Sequence, residues 1–424
     1  MIDRSKAPVI QSVKNLKLHQ PEVHLLSNGI PLYEIALGSQ EIIKLDILFD
    51  AGRWYEQAPL VARATAQLLK AGTQTLNAKE LAEKFEFYGA KLKIYDGFDD
   101  VNIRLYCLSK HLDKLLPIVE ELFTQPAFPE DELQKFIKRN QQSLKVQLQK
   151  GDVVAYRQFT EQLFGDQHPY GYNSNMESYG NLSIPLLKEH FDRCYTANQC
   201  KIIVAGKTSP NTLKIIDQHL GNIPNNKLIV APNLLPLPPK PEKSFYQNLN
   251  KGNVQASIRI GCRMFDRRHI DYHAFYIVNT ILGGYFGARL MQNLREEKGY
   301  TYGIYSSMEA LRHSGYFYIC TDVASDVKDL ALTEIYLELE RLQQEAISTG
   351  ELEMVKNYTL GMLLNGIDGI FNISNLAKDM IACDLDHDFF DKMVDTVQNI
   401  SPQTILDIAQ KYFDRSSLCE VIVE

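Results

Sequence analysis

The sequence lacks an excess of positive charge and any long apolar run. Its 424 residues carry 45 lysines and arginines against 52 aspartates and glutamates, which gives a formal charge of -7. Nucleic-acid binding proteins normally present a basic surface, so this balance argues against a nucleic-acid partner. No run approaches the ~20 apolar residues that cross a bilayer, so we expect no membrane-spanning segment.

The sequence also lacks closely paired cysteines. The seven cysteines are odd in number, scattered along the chain, and never in a Cys-x-x-Cys pair. This pattern favours reduced thiols in a reducing compartment over a disulfide framework. The residues after Met1 are polar and lack the apolar stretch of a secretory signal. We therefore expect a cytoplasmic protein.

The proline distribution divides the chain nearly in half. Six of the 17 prolines lie between Pro224 and Pro241, and proline can neither donate to a sheet nor sit inside a helix. The segment is therefore predicted to be an extended linker at 224–243. It separates a first domain at 1–223 from a second at 244–424, and a chain of this length fits two domains of roughly 200 residues.

The two halves repeat the same order of predicted elements, at an offset of roughly 210–220 residues. Hydrophobic periodicity predicts a strand, a helix and a second strand in each half. These are Ile42–Phe49, Ala58–Ala71 and Val101–Leu108 in the first half, and Val254–Ile260, Tyr272–Leu282 and Gly315–Thr321 in the second. We interpret this order as a duplicated α+β unit, with a chance similarity of common elements as the alternative.

One long motif carries a family resemblance. The stretch Leu282–Tyr302 reads LGGYFGARLMQNLREEKGYTY, and His168-Pro-Tyr-Gly171 and Phe191–Asn198 support it. The chain resembles the pitrilysin/insulinase metallopeptidase family in its short two-domain, processing-peptidase type. The resemblance implies two homologous α+β domains, each a mostly antiparallel sheet backed by helices. They form half of a clamshell, and two such chains pair to enclose an unfolded peptide.

The zinc motif of that family is degenerate in this chain. Peptide-cutting members carry His-x-x-Glu-His, and alignment on Leu68–Thr73 places the motif on Arg63, Ala66 and Gln67. Arginine offers no lone pair, alanine is no base, and a neutral amide is a poor zinc ligand. The downstream segment Lys138–Gln149, where a further glutamate is expected, contains no acidic residue. We expect no metal and no catalytic residue in this chain, with zinc on a partner.

One pair of histidines is a further candidate for a metal site. His269 and His273 are four residues apart, a spacing that can bind a metal on a helix. The acidic residue between them falls at the wrong position, and no further ligands are evident. The favoured interpretation is the polar start of a helix.

The substrate-binding residues of the second domain are retained. The resemblance implies that Arg295 and Tyr302 bind substrate carbonyls, and that Gly283 and Gly284 belong to a loop at the chamber wall. A guanidinium and a phenol can both donate hydrogen bonds to a developing oxyanion. The alternatives are an ordinary surface arginine, a half-buried strand tyrosine and a simple helix-ending turn.

These observations favour a catalytically inactive, substrate-binding subunit of a heterodimeric zinc metallopeptidase. Its partner is expected to be a homologous zinc-binding subunit, its ligand an unfolded peptide, and in isolation it can self-pair as a homodimer. One alternative is a structural scaffold protein with no peptidase partner. Another is an active metallopeptidase with a noncanonical site.

Overall fold

A computed structural model describes residue 13 and residues 16–225, 230–232, 244–248 and 254–424 of the chain. The predicted linker at 224–243 lies mostly outside the described residues, so the domain limits stay a prediction. Within these residues, no helix is long and apolar enough to cross a bilayer.

The strands within these residues fall into two groups, before and after the proline-rich segment. They are β1 (Glu22–Leu25), β2 (Pro31–Ile35), β3 (Ile42–Phe49), β4 (Lys91–Asp96), β5 (Val101–Leu108), β6 (Cys200–Gly206), β7 (Ser244–Gln247), β8 (Gln255–Met264), β9 (Thr301–Ala310), β10 (Gly315–Ala324) and β11 (Cys419–Val423).

The helices lie between these strands, singly or in runs of up to five. They are α1 (Val61–Leu68), α2 (Ala78–Phe87), α3 (Leu112–Thr124), α4 (Glu130–Gln147), α5 (Gly151–Phe164), α6 (Met176–Gly180), α7 (Ile184–Cys194), α8 (Pro210–Leu220), α9 (Tyr272–Gly283), α10 (Lys328–Gln344), α11 (Thr349–Gly366), α12 (Ile370–Ala382), α13 (Phe389–Asn399) and α14 (Pro402–Tyr412). A π-helical segment, Met291–Glu297, lies between α9 and β9.

The two sheets share one topology. The first has the strand order β1-β2-β6-β3-β5-β4, and the second has the order β7-β11-β8-β10-β9. Without β1 the orders correspond strand for strand, and each sheet has one parallel pair, β2 with β6 and β7 with β11. Equivalent strands begin roughly 210–220 residues apart. The predicted α+β fold of two homologous, mostly antiparallel sheets backed by helices is confirmed.

Residue alternation along β3 explains how the first sheet is covered on both faces. Ile43, Leu45, Ile47 and Phe49 face the large core formed with the helices of the first half. The intervening side chains point to the opposite face, because successive residues of a strand alternate. That face is covered by a helix from the second half.

Each half of the chain covers the sheet of the other half with one helix. Helix α12 lies across β3 and β6, where Ala377 packs against Leu48, Ile203 and neighbouring apolar residues. Helix α5 lies across β8 and β11, and Gly261 of β8 leaves the space that the Phe159 ring occupies. The two helices occupy equivalent positions in the repeat, so the exchange is reciprocal.

A buried ionic cluster lies beneath α12. The Lys44 side chain is fully buried, and its Nζ lies 2.9 Å from Asp46 Oδ2. The same ammonium donates to Ser374 Oγ at 3.1 Å and to Asn375 Oδ1 at 2.7 Å. Arg104 Nε donates to the other oxygen of Asp46 at 2.5 Å. The cluster therefore joins the first sheet to a helix of the second half.

Burial lowers the pKa of Lys44 from its ordinary value to about 8, although Asp46 opposes the shift. The folded protein therefore holds fewer protons than the unfolded chain between pH 8 and the ordinary lysine pKa. In that window the lysine contributes stability that increases with pH.

We expect the free energy of unfolding of the wild-type protein, relative to that of Lys44→Met, to rise by about 2 kcal/mol between pH 7.5 and 9.5. Comparing the two proteins removes the contribution of the tyrosines and cysteines, because these residues titrate in both. Urea unfolding at several pH values measures it. The exposed lysine variant Lys214→Met serves as the control and should show a flat difference; a flat difference for Lys44→Met would contradict the assignment.

Candidate functional site

Helix α1 carries Arg63, Ala66 and Gln67, the residues that the sequence predicted at the zinc-motif position, and it is fixed by packing and by the half-buried acid Glu56. It packs against α7 and β4. Glu56 accepts a hydrogen bond from the Ala62 backbone N–H at 3.0 Å and another from the Tyr172 hydroxyl. Burial raises the pKa of Glu56 to about 7. Leu60, the residue just before α1, has a φ of 72°, a left-handed conformation that is rare outside glycine.

Two of the three motif side chains converge on one aspartate. Gln67 Nε2 donates to Asp96 Oδ1 at 2.5 Å, and Arg63 Nε lies 3.5 Å from Asp96 Oδ2. Asp96 is the last residue of the edge strand β4. Ala66 is fully buried in the core of the first half. The sequence gave no sign that Asp96 is the common partner of Arg63 and Gln67.

The residues at this position do not fit a zinc ion. The nearest carboxylate, Asp96, is occupied by a guanidinium and an amide. Arg63 lines a cavity next to α1. Helix α4 contributes Asn140, Ser143 and Gln147 to the same lining, and none of these residues is acidic. A permanently charged arginine repels a cation, and zinc sites need imidazole, thiolate or carboxylate ligands.

The structure brings together one set of metal-ligating side chains that was not predicted from the sequence. Within the described residues, Glu22, His24 and Glu34 form the one group of three or more such side chains, with ligand atoms within 4.8 Å of one another. Glu22 lies directly opposite Glu34 in the β1–β2 pair, and His24 Nε2 lies 2.9 Å from Glu34 Oε2. The sequence signal for this group is Glu-x-His on a strand, because alternate side chains of a strand lie on the same face. The group lies at the edge of the sheet opposite to β4.

The pair His269 and His273 does not form one site. His269 stacks on Phe265 and accepts from the Asp271 backbone N–H at 3.1 Å. His273 contacts the Phe389 ring instead, and burial lowers its pKa to about 4. The two residues flank the start of α9, which agrees with the favoured interpretation of a helix start.

The second half presents Arg295 and Tyr302 on neighbouring elements. Arg295 lies in the π-helical segment with 36% of its side chain exposed, and its guanidinium lies 4.7 Å from the centre of the Phe286 ring. Tyr302 is 94% exposed near the start of β9. The segment and the strand are joined by a hydrogen bond from Tyr300 N to Leu294 O at 2.9 Å.

A bidentate ion pair holds the π-helical segment in place. Arg289, just before it, donates to both oxygens of Glu351 on α11 at 2.7 and 2.8 Å. Leu290 and Leu294 are fully buried beneath the segment. Arg295 therefore follows directly on anchored residues, since the bidentate ion pair and the two buried leucines all precede it.

Gly283 allows α9 to approach β9 closely, and Gly284 allows the chain to turn back against α9. A Cβ on Gly283 would lie 2.5 Å from the backbone nitrogen of Ser306 in β9, and one on Gly284 would lie 2.7 Å from Thr280 Cα. Gly283 is buried and Gly284 is exposed. The loop, the π-helical segment and β9 thus form one surface, on which Phe286 is 60% exposed. A direct role of Gly283 and Gly284 in substrate contact stays a prediction.

We expect Gly283→Ala to lower the free energy of unfolding by roughly 1–3 kcal/mol, because the new methyl group collides with the β9 backbone. Gly361→Ala in α11 is the matched control, since a Cβ there meets nothing within 4 Å. That variant should be neutral or stabilising by up to about 1 kcal/mol. Thermal and urea unfolding of both proteins measure the effect; equal stabilities would show that the close approach is not required.

Comparison with known proteins identifies the relatives of this chain. Residues 39–168 match the family model described as insulinase (peptidase family M16), and residues 181–359 match the model described as peptidase M16 inactive domain. A non-peptidase homolog, YmxG of Helicobacter pylori, is 25% identical over 377 residues, which cover 86% of this chain and 84% of the relative.

Two further relatives extend the comparison. The uncharacterized zinc protease YmxG of Bacillus subtilis is 22% identical over 346 residues, covering 81% of this chain and 83% of the relative. The crystal structure of a peptidase M16 inactive domain from Pseudomonas fluorescens has a TM-score of 0.86 at 22% identity, covering 95% of this chain and 98% of that one. The structural likeness shows the fold. Matched by family models over most of both halves, the chain belongs to the insulinase family, peptidase family M16.

Proposed function

We propose that this chain is a catalytically inactive, substrate-binding subunit of a heterodimeric zinc metallopeptidase that degrades or processes unfolded peptides. The observation that carries the proposal is the contrast between its two halves. Arg63 and Gln67 are tied to Asp96 and do not suit zinc. By contrast, Arg295 is partly exposed on an anchored segment, and the neighbouring strand presents Tyr302 almost fully to solvent.

The exposure of Tyr302 favours a binding role over a structural one. Within the described residues, nothing forms a hydrogen bond with its hydroxyl, and 94% of the residue is exposed. A tyrosine retained for stability normally buries its ring and satisfies its hydroxyl. The scaffold alternative offers no reason for such a residue beside a rigidly based arginine.

Arg295 and Tyr302 have the chemistry of a carbonyl clamp. Both side chains can donate hydrogen bonds to a carbonyl oxygen. Tyr302 lies on β9, an edge strand of the second sheet, where an extended peptide can pair with the outer backbone groups. Together they would hold a substrate carbonyl and stabilise the oxyanion that develops on it when a partner supplies the attacking water.

The proposed partner is a homologous chain that retains His-x-x-Glu-His and holds the zinc. Its active site would face Arg295 and Tyr302 across a closed chamber, so that cleavage needs both chains. Cytoplasmic placement belongs to the same proposal. It is supported by seven free cysteines, six of them buried, which suit a reducing compartment.

The chain alone should not cleave an unstructured fluorogenic peptide, whereas its mixture with the zinc-binding homologue from the same organism should. In the mixture, Arg295→Ala and Tyr302→Phe should each lower kcat/KM by about ten-fold or more, because each removes a donor to the oxyanion. Cleavage assays with both purified subunits measure the effect.

Tyr246→Phe is the matched control for the loss of a hydroxyl, because Tyr246 lies on β7 at the other edge of the same sheet. It should leave kcat/KM unchanged. Full activity of the Arg295→Ala and Tyr302→Phe mixtures would refute the clamp. Cleavage by the isolated chain that a chelator abolishes would refute the inactive role.

A further inference from the structure

A cavity of about 250 Å³ lies beside the degenerate zinc motif. Residues from α1, α4 and α5 line it, together with the segment that follows His168-Pro-Tyr-Gly171. Three arginines, Arg53, Arg63 and Arg157, face it, and among the described residues its lining contains no aspartate or glutamate. The cavity beside the predicted zinc-motif position is therefore lined with positive charge.

Two of these guanidiniums have no carboxylate within 4 Å among the described residues. Arg157 donates to the Ser174 backbone oxygen at 2.5 Å. Arg53 donates a long hydrogen bond of 3.4 Å to the backbone oxygen of Tyr172. Its guanidinium also lies 4.7 Å from the centre of the Phe98 ring and 4.6 Å from the centre of the Tyr172 ring. A guanidinium has five N–H donors, so most of the donors of Arg53 and Arg157 remain available to a ligand.

Burial leaves the charge of Arg157 incompletely compensated. It lowers the pKa of the guanidinium from its ordinary value, although Glu161 opposes the shift. Glu161 lies behind the lining, where it accepts a hydrogen bond from Asn173 at 3.1 Å. Two further carboxylates also lie behind the lining. Glu56 accepts a hydrogen bond from the Tyr172 hydroxyl, and Asp96 pairs with Arg63.

These charges favour a ligand with a single negative charge. The three carboxylates behind the lining offset part of the charge of the three arginines, and Glu56, whose pKa is about 7, offsets it only in part. A carboxylate matches the remaining charge better than a phosphate, which carries about -1.5 to -2 at neutral pH. Arginine also binds the planar carboxylate in a bidentate geometry.

The size and the walls of the cavity indicate an organic ligand. Its volume corresponds to roughly eight water molecules, at about 30 Å³ each, which exceeds what a bare carboxylate fills. Phe98, Tyr170 and Tyr172 supply aromatic surface, while Asn140 and Ser143 supply amide and hydroxyl groups. The lining exposes more polar than apolar surface, which suits a charged organic ligand that also contacts the aromatic rings.

We infer that this cavity is a carboxylate-binding site, held by Arg53 and Arg157, for either the free end of a peptide or a small organic acid. The site does not depend on Arg295 or Tyr302, since it lies in the first half of the chain. It replaces the lost zinc position with a recognition pocket of opposite charge.

Isothermal titration of the full chain tests the inference with two matched pairs of probes. One pair is an N-acetylated Gly/Ala pentapeptide with a free carboxylate and the same peptide as its C-terminal amide. The other is N-acetylglycine and N-acetylglycinamide. We expect at least one acid to bind about ten-fold or more tightly than its amide, because hydrogen bonds to a charged group are lost in the amide. Binding of the peptide acid alone identifies a chain end as the ligand, and binding of both acids admits small acids.

Arg157→Gln and Arg53→Gln should each weaken binding of the acid by about ten-fold or more. Arg139→Gln makes the same charge change at an exposed position on α4 outside the cavity, and should have no effect. Ser143→Trp fills the cavity from an exposed position with both guanidiniums intact, so it should abolish binding even if an arginine variant fails to fold.

The preference for the acid should persist in Arg295→Ala, which separates this site from the proposed clamp. Equal binding of acid and amide, binding of inorganic phosphate alone, or full affinity in Ser143→Trp would each overturn the inference.

Discussion

The reciprocal exchange of α5 and α12 is the constraint on which the rest of the structure depends. Each helix covers the sheet of the opposite half, so neither half completes its core alone. The buried contacts of Lys44 with Ser374 and Asn375 fix one side of this arrangement. Arg312 adds a second link, since it pairs with Asp50 at 2.5 Å and with Asp384 at 2.9 Å. The two homologous units therefore act as one body.

The same exchange shapes the site beside the degenerate motif. Helix α5 leaves α4, crosses to the second sheet, and carries Tyr156 and Arg157 along the cavity that Arg63 faces. Asp96 pairs with Arg63 and Gln67 at the position where the sequence predicted a degenerate zinc motif. The fold of the family is present although the residues at this position do not suit zinc, since a fold does not by itself determine the chemistry of a site.

Much of the fold could be predicted because strongly periodic segments determine their own structure. Strands Ile42–Phe49 and Val101–Leu108 agree with the prediction residue for residue. The strand predicted to end at Ile260 continues to Met264, because pairing with β10 extends to Gly315. The helix predicted at Ala58–Ala71 is confined to Val61–Leu68, between left-handed Leu60 and a 3-10 turn.

The remainder depends on contacts between residues far apart in the chain. The helix exchange and the partnership of Asp96 with Arg63 and Gln67 are set by tertiary packing, which local pattern does not encode. The family resemblance supplied Arg295 and Tyr302, whereas their anchoring by Arg289 and Glu351 required the structure.

We propose that helix α1 holds no hydrolytic metal. Anomalous diffraction at the zinc edge, from crystals of the chain grown with the zinc-binding homologue and excess zinc, would locate every bound zinc ion. We expect a strong peak in the homologue and none within reach of Arg63, Gln67 or Asp96. A zinc peak coordinated by residues of α1 in this chain would refute the proposal.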